Sequence, residues 1–102
     1  MKPRPTKSSQ SQRDLAELLA FFEKVDPLAG VRFIDAVDHT LDRIGDFPDL
    51  GSPWEFKQRR LRKIRCWNVY GFENYLLVYH NASQGPVILR ILDARRDLDR
   101  IL

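Results

Sequence analysis

Cysteine occurs once in the 102-residue chain, at Cys66, and histidine twice, at His39 and His80. A single thiol forms no internal disulfide and founds no multi-cysteine metal site. The sequence therefore predicts a metal-free fold held by packing, of the kind suited to a reducing cytoplasm. No run of about 18 apolar residues exists, so no membrane span is expected. No charged-then-apolar leader opens the chain, and export is not expected either. Glycine-rich phosphate loops and nucleophile elbows are both missing, so no cofactor and no catalytic residue is assigned. Internal repeats and low-complexity segments are absent as well.

What is present is one domain's worth of ordinary globular composition over residues 1–102. The net charge of +3 is unevenly placed. Residues 1–58 carry 8 Lys+Arg against 10 Asp+Glu, while residues 59–102 carry 9 against 4. A basic half suits an acidic partner, either nucleic acid or an acidic protein segment; it also suits a merely solvated face.

Hydrophobic spacing gives the elements. Residues 1–8 hold Pro3 and Pro5 and read as a tail or a poor edge strand. Leu15, Leu18, Leu19, Phe22 and Val25 form one stripe of an amphipathic helix, capped by Ser9 or Ser11, with Arg13, Asp14, Glu17, Glu23 and Lys24 outside. Asp26-Pro27 ends it and starts a second helix to about Ile44, with Phe33, Ile34, Val37, Leu41 and Ile44 inward and Gly45 as its stop. The loop 45–58 carries Phe47, Leu50, Trp54 and Phe56, expected to plug the core edge. Three strands follow: Arg59 to about Val69, whose imperfect alternation predicts a bulge or two-sided burial, Phe72 to His80, and Pro86 to Leu92. Asp93 to Leu102 can close as a short helix with Leu98, Ile101 and Leu102 inward. The fold class predicted is α+β in two layers, an N-terminal helical hairpin on a mainly antiparallel β-meander.

The candidate functional residues are cations. Arg60, Arg62, Lys63 and Arg65 alternate along the first strand and can line its two faces. With Arg95 and Arg96 they are the candidate partner-binding set. Arg90 lies inside an apolar strand and needs a partner. Asp93, Asp97 and Asp99 are the candidates, so that Arg90 and Arg96 brace the C-terminal segment through ion pairs with Asp93 and Asp97. His39, His80 and Cys66 read as structural or exposed groups.

The motifs "FPDLG", "LRKIRCWNVYGFENYLLVYH" and "PVILRILDARRDLDRIL", after a helical hairpin, resemble the RelE/ParE superfamily of bacterial toxins from type II toxin–antitoxin modules. The likeness covers nearly everything after residue 9. Its most specific parts are Gly71 to Leu76 followed by Tyr79, and the ending Leu89-Arg90-Ile91-Leu92 with Ala94 to Leu98. ParE-like members often end Arg-Val-Leu-His-Gly-Ala-Arg-Asp; here Asp93 replaces the His, Ala94 the Gly and Arg95 the Ala, while Arg96-Asp97 keep the Arg-Asp pair. The RelE branch cleaves mRNA on the ribosome with cations and a late tyrosine. Leu76 stands where its strand arginine belongs, no tyrosine follows Tyr79, Leu102 occupies the tyrosine's place, and only Arg96 matches.

The resemblance therefore implies the ParE-like branch. Its members inhibit DNA gyrase by protein binding, which arrests growth and stabilises plasmids. It also implies a cognate, co-encoded antitoxin whose acidic, partly disordered segment lays a helix into apolar grooves or a strand on a sheet edge. Two alternatives remain open: a RelE-like ribosome-dependent mRNA endoribonuclease, and a non-toxic orphan that only binds an antitoxin.

Overall fold

The computed structural model describes residues 4–53, 63–96 and 98–101. Its elements run β1 (Thr6–Lys7), α1 (Ser9–Val25), α2 (Pro27–Asp46), β2 (Ser52–Pro53), β3 (Arg65–Val69), β4 (Phe72–Ala82), β5 (Gly85–Asp93) and α3 (Leu98–Ile101). The five strands form one sheet in the order β1-β5-β4-β3-β2. All neighbours are antiparallel except β1, which lies parallel to β5. Two helices packed on this sheet give the α+β architecture that the periodicity predicts, with the N-terminal segment as a two-residue edge strand.

Local chemistry sets the helix ends. Ser8, rather than Ser9 or Ser11, caps α1: its Oγ accepts from the Ser11 N–H at 3.1 Å and donates to the Leu89 carbonyl at 3.0 Å. The cap thus also ties the helix start to β5. Asp26 caps α2 by accepting from the Leu28 N–H at 3.0 Å, and Pro27 takes the first helical position. Gly45 does not stop α2. It is buried within the helix, which continues to Asp46 before Phe47 takes the cap position. A glycine ends a helix when the chain turns away there; a buried one serves equally as a close-packing position.

The core lies between the helices and one sheet face. Phe33, Val37, Leu41 and Ile44 of α2 meet Leu77 and Tyr79 of β4 and Ile88 and Ile91 of β5. Phe22 of α1 stacks on Phe33 at 4.7 Å, and both meet the Phe72 and Tyr75 rings edge-on. Burying each such ring stabilises the fold by about 1.5–3 kcal/mol. The opposite sheet face is also covered: Ile64, Cys66, Leu76, Val78 and Leu92 pack with Leu98 of α3. The middle of β4 and much of β5 are therefore covered on both faces, which is why Leu76 to Tyr79 and Val87 to Leu92 read as near-continuous apolar runs, whereas Glu73, Asn74 and Asn81 of β4 are exposed.

Two irregularities adjust the pleat. The register shifts between Asn68 and Val69, inside the first strand, whose imperfect alternation predicts a bulge or burial on both sides. A second shift falls between Val78 and Tyr79 and leaves Leu89 without an opposite residue. It puts Ile88 and Ile91 in one cluster although they are three apart.

Several expectations change. Among the described residues the first strand covers Arg65–Val69, with Lys63 in a turn before it; residues 59–62, on which the expected start falls, and Trp54, Phe56 and Leu102 lie outside the described residues. Strands β4 and β5 run closer together than expected, leaving Ser83 and Gln84 as the turn before Gly85, whose φ of 118° suits glycine. The β3–β4 turn likewise places Gly71 at φ 76°. Val25 is 71% exposed, and Ile34 and Phe47 are exposed as well. Asp14 is not on the outer face of α1: it is 6% exposed and points into the layer between helix and sheet. No helix among the described residues is long and apolar enough to cross a membrane.

Candidate functional site

Of the sequence-predicted cations that are described, Lys63 and Arg65 lie together, and Arg95 and Arg96 follow β5. Arg60 and Arg62 lie outside the described residues. Arg65 donates to the Gly51 carbonyl at 2.6 Å and lies 3.7 Å from the Asp49 carboxylate, so it braces the loop that follows α2. Lys63 is exposed beside it, and the two share a cleft of ≈ 400 Å³ with Pro53, His80 and Asn81. Arg95 sits at the other end of the sheet. Its Nε donates to Asp93 Oδ1 at 2.9 Å, and its backbone N–H donates to the same oxygen. The Arg95 side-chain bond, then its backbone bond, hold the Asp93 carboxyl down at about 2. Arg96 is exposed, with its N–H on the Asp93 carbonyl at 3.2 Å.

Arg90 finds a different partner from the C-terminal aspartates. Its Nε and NH2 donate in a fork to Asp14 of α1, at 2.8 and 3.0 Å. Asp14 also accepts the Ile91 N–H at 3.1 Å and the Gln10 amide at 3.2 Å. Burial pushes the Asp14 carboxyl up, but these bonds and the Arg90 charge outweigh it and hold the group below its ordinary value. The same pair raises Arg90 further into its charged range. Of the expected brace of Arg90, Arg96, Asp93 and Asp97, Arg90 instead pins α1 to β5 through Asp14 and Asp93 pairs with Arg95, while Asp97 lies outside the described residues. The signal for Asp14 was in the spacing, since Ser11, Asp14 and Leu18 stand at i, i+3 and i+7 on the inward stripe.

A second buried network holds the "FPDLG" loop. The Tyr79 hydroxyl is fully buried; it accepts the Gly51 N–H at 2.7 Å and donates to the Pro48 carbonyl at 2.7 Å. Asn81 adds bonds to the Pro48 carbonyl and the Asp49 carboxylate. Gly51 has to be glycine, because an added Cβ would sit 2.6 Å from the Tyr79 oxygen. Burial, opposed by the Gly51 bond, raises the Tyr79 hydroxyl pKa. Burial alone pushes the Cys66 thiol up to about 12, so it stays protonated and unreactive in the folded protein.

This loop completes a groove that sequence reasoning missed. A cleft of ≈ 420 Å³ lies between α2 and the β3–β4 hairpin, with His39, Arg43, Trp67, Tyr70 and Glu73 among its lining residues. It shares Arg43 and Leu50 with a second cleft of ≈ 520 Å³ along the loop, bounded by Asp46, Phe47 and Asp49. Tyr70 is 70% exposed, and its ring leans on His39 at 4.8 Å. The Tyr70 N–H donates to Thr40 Oγ1 at 3.0 Å, and that buried hydroxyl donates in turn to the Ala36 carbonyl. Phe47 is 53% exposed beneath the Arg43 guanidinium, 5.3 Å from its ring centre. Such an arrangement offers apolar contact and one firm cation. Among the described residues no group of three His, Cys, Asp or Glu could hold a metal ion.

The sequence model of the family described as the ParE toxin of the type II toxin–antitoxin system, parDE, matches residues 7–98. No significant match to a curated protein was found.

Proposed function

The chain belongs to the ParE toxin family of type II toxin–antitoxin systems, and from that premise we propose that it arrests growth by binding and inhibiting DNA gyrase. A cognate antitoxin, the partner that family membership implies, neutralises it by binding the toxin directly.

The observation that favours protein binding over RNA cleavage is the state of position 76. Leu76 stands where the resemblance places the RelE-branch arginine, and it is 4% exposed within the second core cluster. Tyr79, the last tyrosine in the sequence, is sealed in the other core with its hydroxyl committed to the loop. Each general acid–base group is worth about 10²–10⁴-fold in rate, so a nuclease lacking two of them would be crippled. Purified protein should block supercoiling by gyrase or trap cleaved DNA, and induced expression should stop growth. Normal supercoiling at saturating protein overturns the reading.

One feature favours a second reading, a ribosome-dependent mRNA endoribonuclease. Lys63, Arg65 and His80 share a cleft, a set that can hold a phosphate and move a proton. Primer extension on translated mRNA decides it: codon-linked cuts that vanish in His80→Ala establish cleavage, and growth arrest without cuts excludes it.

A further inference from the structure

The groove along α2 is pre-shaped to an unusual degree. Two exposed aromatic rings mark its ends, and both lean on α2 residues one turn apart: Tyr70 on His39, and Phe47 under Arg43. Thr40 fixes the backbone of Tyr70, and the buried Tyr79 hydroxyl fixes the loop beyond Phe47. Rings held in place cost little entropy on binding, and aromatic residues with arginine are the side chains that carry most interface energy. The groove therefore has the chemistry of a protein-binding site.

Charge selects the occupant. Among the described residues, Arg43 is the single lysine or arginine lining either cleft, and it stands where the two meet. Glu73 lines the cleft with Tyr70, and Asp46 and Asp49 line the one with Phe47, Asp49 being drawn to Arg65 as well. A ligand carboxylate is attracted to Arg43, the cation common to both clefts. Bulky apolar side chains fit on either side of it, one against Tyr70 and Trp67, the other against Phe47 and Leu50. We propose that this groove receives the antitoxin through a segment in which one acidic residue is flanked by two large apolar residues. The proposal rests on the toxin–antitoxin reading above and deepens it by naming the surface and the pattern it selects.

The test uses the full chain and the protein encoded by the adjacent reading frame, with affinity measured by calorimetry. Tyr70→Ala should weaken binding by about tenfold or more, as expected for an interface anchor. Arg43→Glu should weaken it further, and an acid-to-lysine change in the antitoxin segment should restore binding to that variant alone. Val25→Ala, in the exposed apolar patch at the α1–α2 turn, serves as the control and should leave the affinity within about twofold, since contacts outside the docking site are near neutral. Thermal melts matching the wild type exclude misfolding. Wild-type affinity in both groove variants overturns the assignment while leaving the toxin–antitoxin reading standing. Loss in Val25→Ala alone moves the docking site to the hairpin tip and overturns it too. A toxin homodimer that Tyr70→Ala dissolves assigns the groove to a second copy, against the proposal. If the wild-type toxin does not bind its neighbour's product, the toxin–antitoxin reading falls and takes this proposal with it.

Discussion

Removing the Asp14 carboxylate should be among the most damaging single changes outside the apolar core. Asp14→Ala strips Arg90 of both fork bonds and leaves the guanidinium, whose side chain is 20% exposed, without its partner. Breaking one side of a buried pair costs about 3–5 kcal/mol. The variant also orphans the Ile91 N–H, a buried donor worth about 1–3 kcal/mol when unmet. The two losses overlap, so about 4 kcal/mol is expected, a large share of the roughly 5–15 kcal/mol that holds a domain together. For a chain near 100 residues each kcal/mol moves the midpoint by about 4–8 °C, so the melt should fall by about 15–30 °C. Adding Arg90→Leu removes the stranded charge and should recover all but the Ile91 share, so the double-mutant cycle should be strongly non-additive.

The same group carries a pH signature. The Asp14 carboxyl binds its proton less tightly folded than unfolded, because its folded pKa lies below 3.8. Its stabilisation is therefore complete above the unfolded pKa and is lost as pH falls through the folded one. Urea midpoints measured from pH 6 down to pH 2 should drop more steeply for the wild type than for Asp14→Ala; Asp93, held at about 2, stays common to both. A loss under about 1 kcal/mol in Asp14→Ala, or an additive cycle, would refute the argument.

Tyr79→Phe keeps the packed ring but leaves the Gly51 N–H without its partner and the Pro48 carbonyl with only the Asn81 amide, and should cost about 1–3 kcal/mol by denaturant unfolding, with faster amide exchange at Gly51. Gly51→Ala drives a Cβ to 2.6 Å from the Tyr79 oxygen and should destabilise by about 1–3 kcal/mol in the same assay, whereas pairing it with Tyr79→Phe should relieve part of that loss. Thr40→Val deletes the acceptor of the Tyr70 N–H and should lower the thermal midpoint while weakening antitoxin binding through misplacement of Tyr70. Cys66, with its thiol raised to about 12, should resist a thiol reagent at pH 8 in the folded state and react fully in denaturant; rapid labelling of native protein would contradict its burial.

The parts of this architecture legible from sequence were those set by local rules. Helix periodicity placed Phe33, Val37, Leu41 and Ile44 in the core, and Asp26-Pro27 marked the hairpin turn. What escaped depended on distant contacts. The inward stripe of α1 includes a carboxylate because β5, 76 residues away, supplies Arg90 and an unpaired N–H. Periodicity sorts residues by polarity, so it sent Asp14 outward, and it paired Arg90 with the aspartates nearest in sequence. Gly45 looked like a stop because composition cannot tell a turning glycine from a packed one. The groove escaped for a related reason. Its rims come from two segments distant in sequence, α2 with its cap (His39, Phe47) and the β3–β4 turn (Tyr70), and neither carries a motif on its own.

The charge asymmetry, finally, has a structural consequence that the count did not suggest. Of the candidate cations in the described basic half, Arg65, Arg90 and Arg95 are tied to Asp49, Asp14 and Asp93. Two of those three aspartates come from the acidic half, so part of the opposite charge of the two halves is cancelled inside the fold. The excess left for a partner is smaller and more local than the difference between −2 and +5 implies. Long-range steering, which needs an extended field of one sign, is then a weaker source of recognition than close contacts at fixed side chains. Binding dominated by the Tyr70, Phe47 and Arg43 contacts should lose little affinity between 50 and 200 mM salt. A phosphate-contacting nuclease making six or more ion contacts would lose about a thousandfold over the same range. A salt titration of the antitoxin complex thus bears on both the partner and the chemistry: a shallow slope fits docking by anchored side chains, and a steep one requires an extended cationic surface instead.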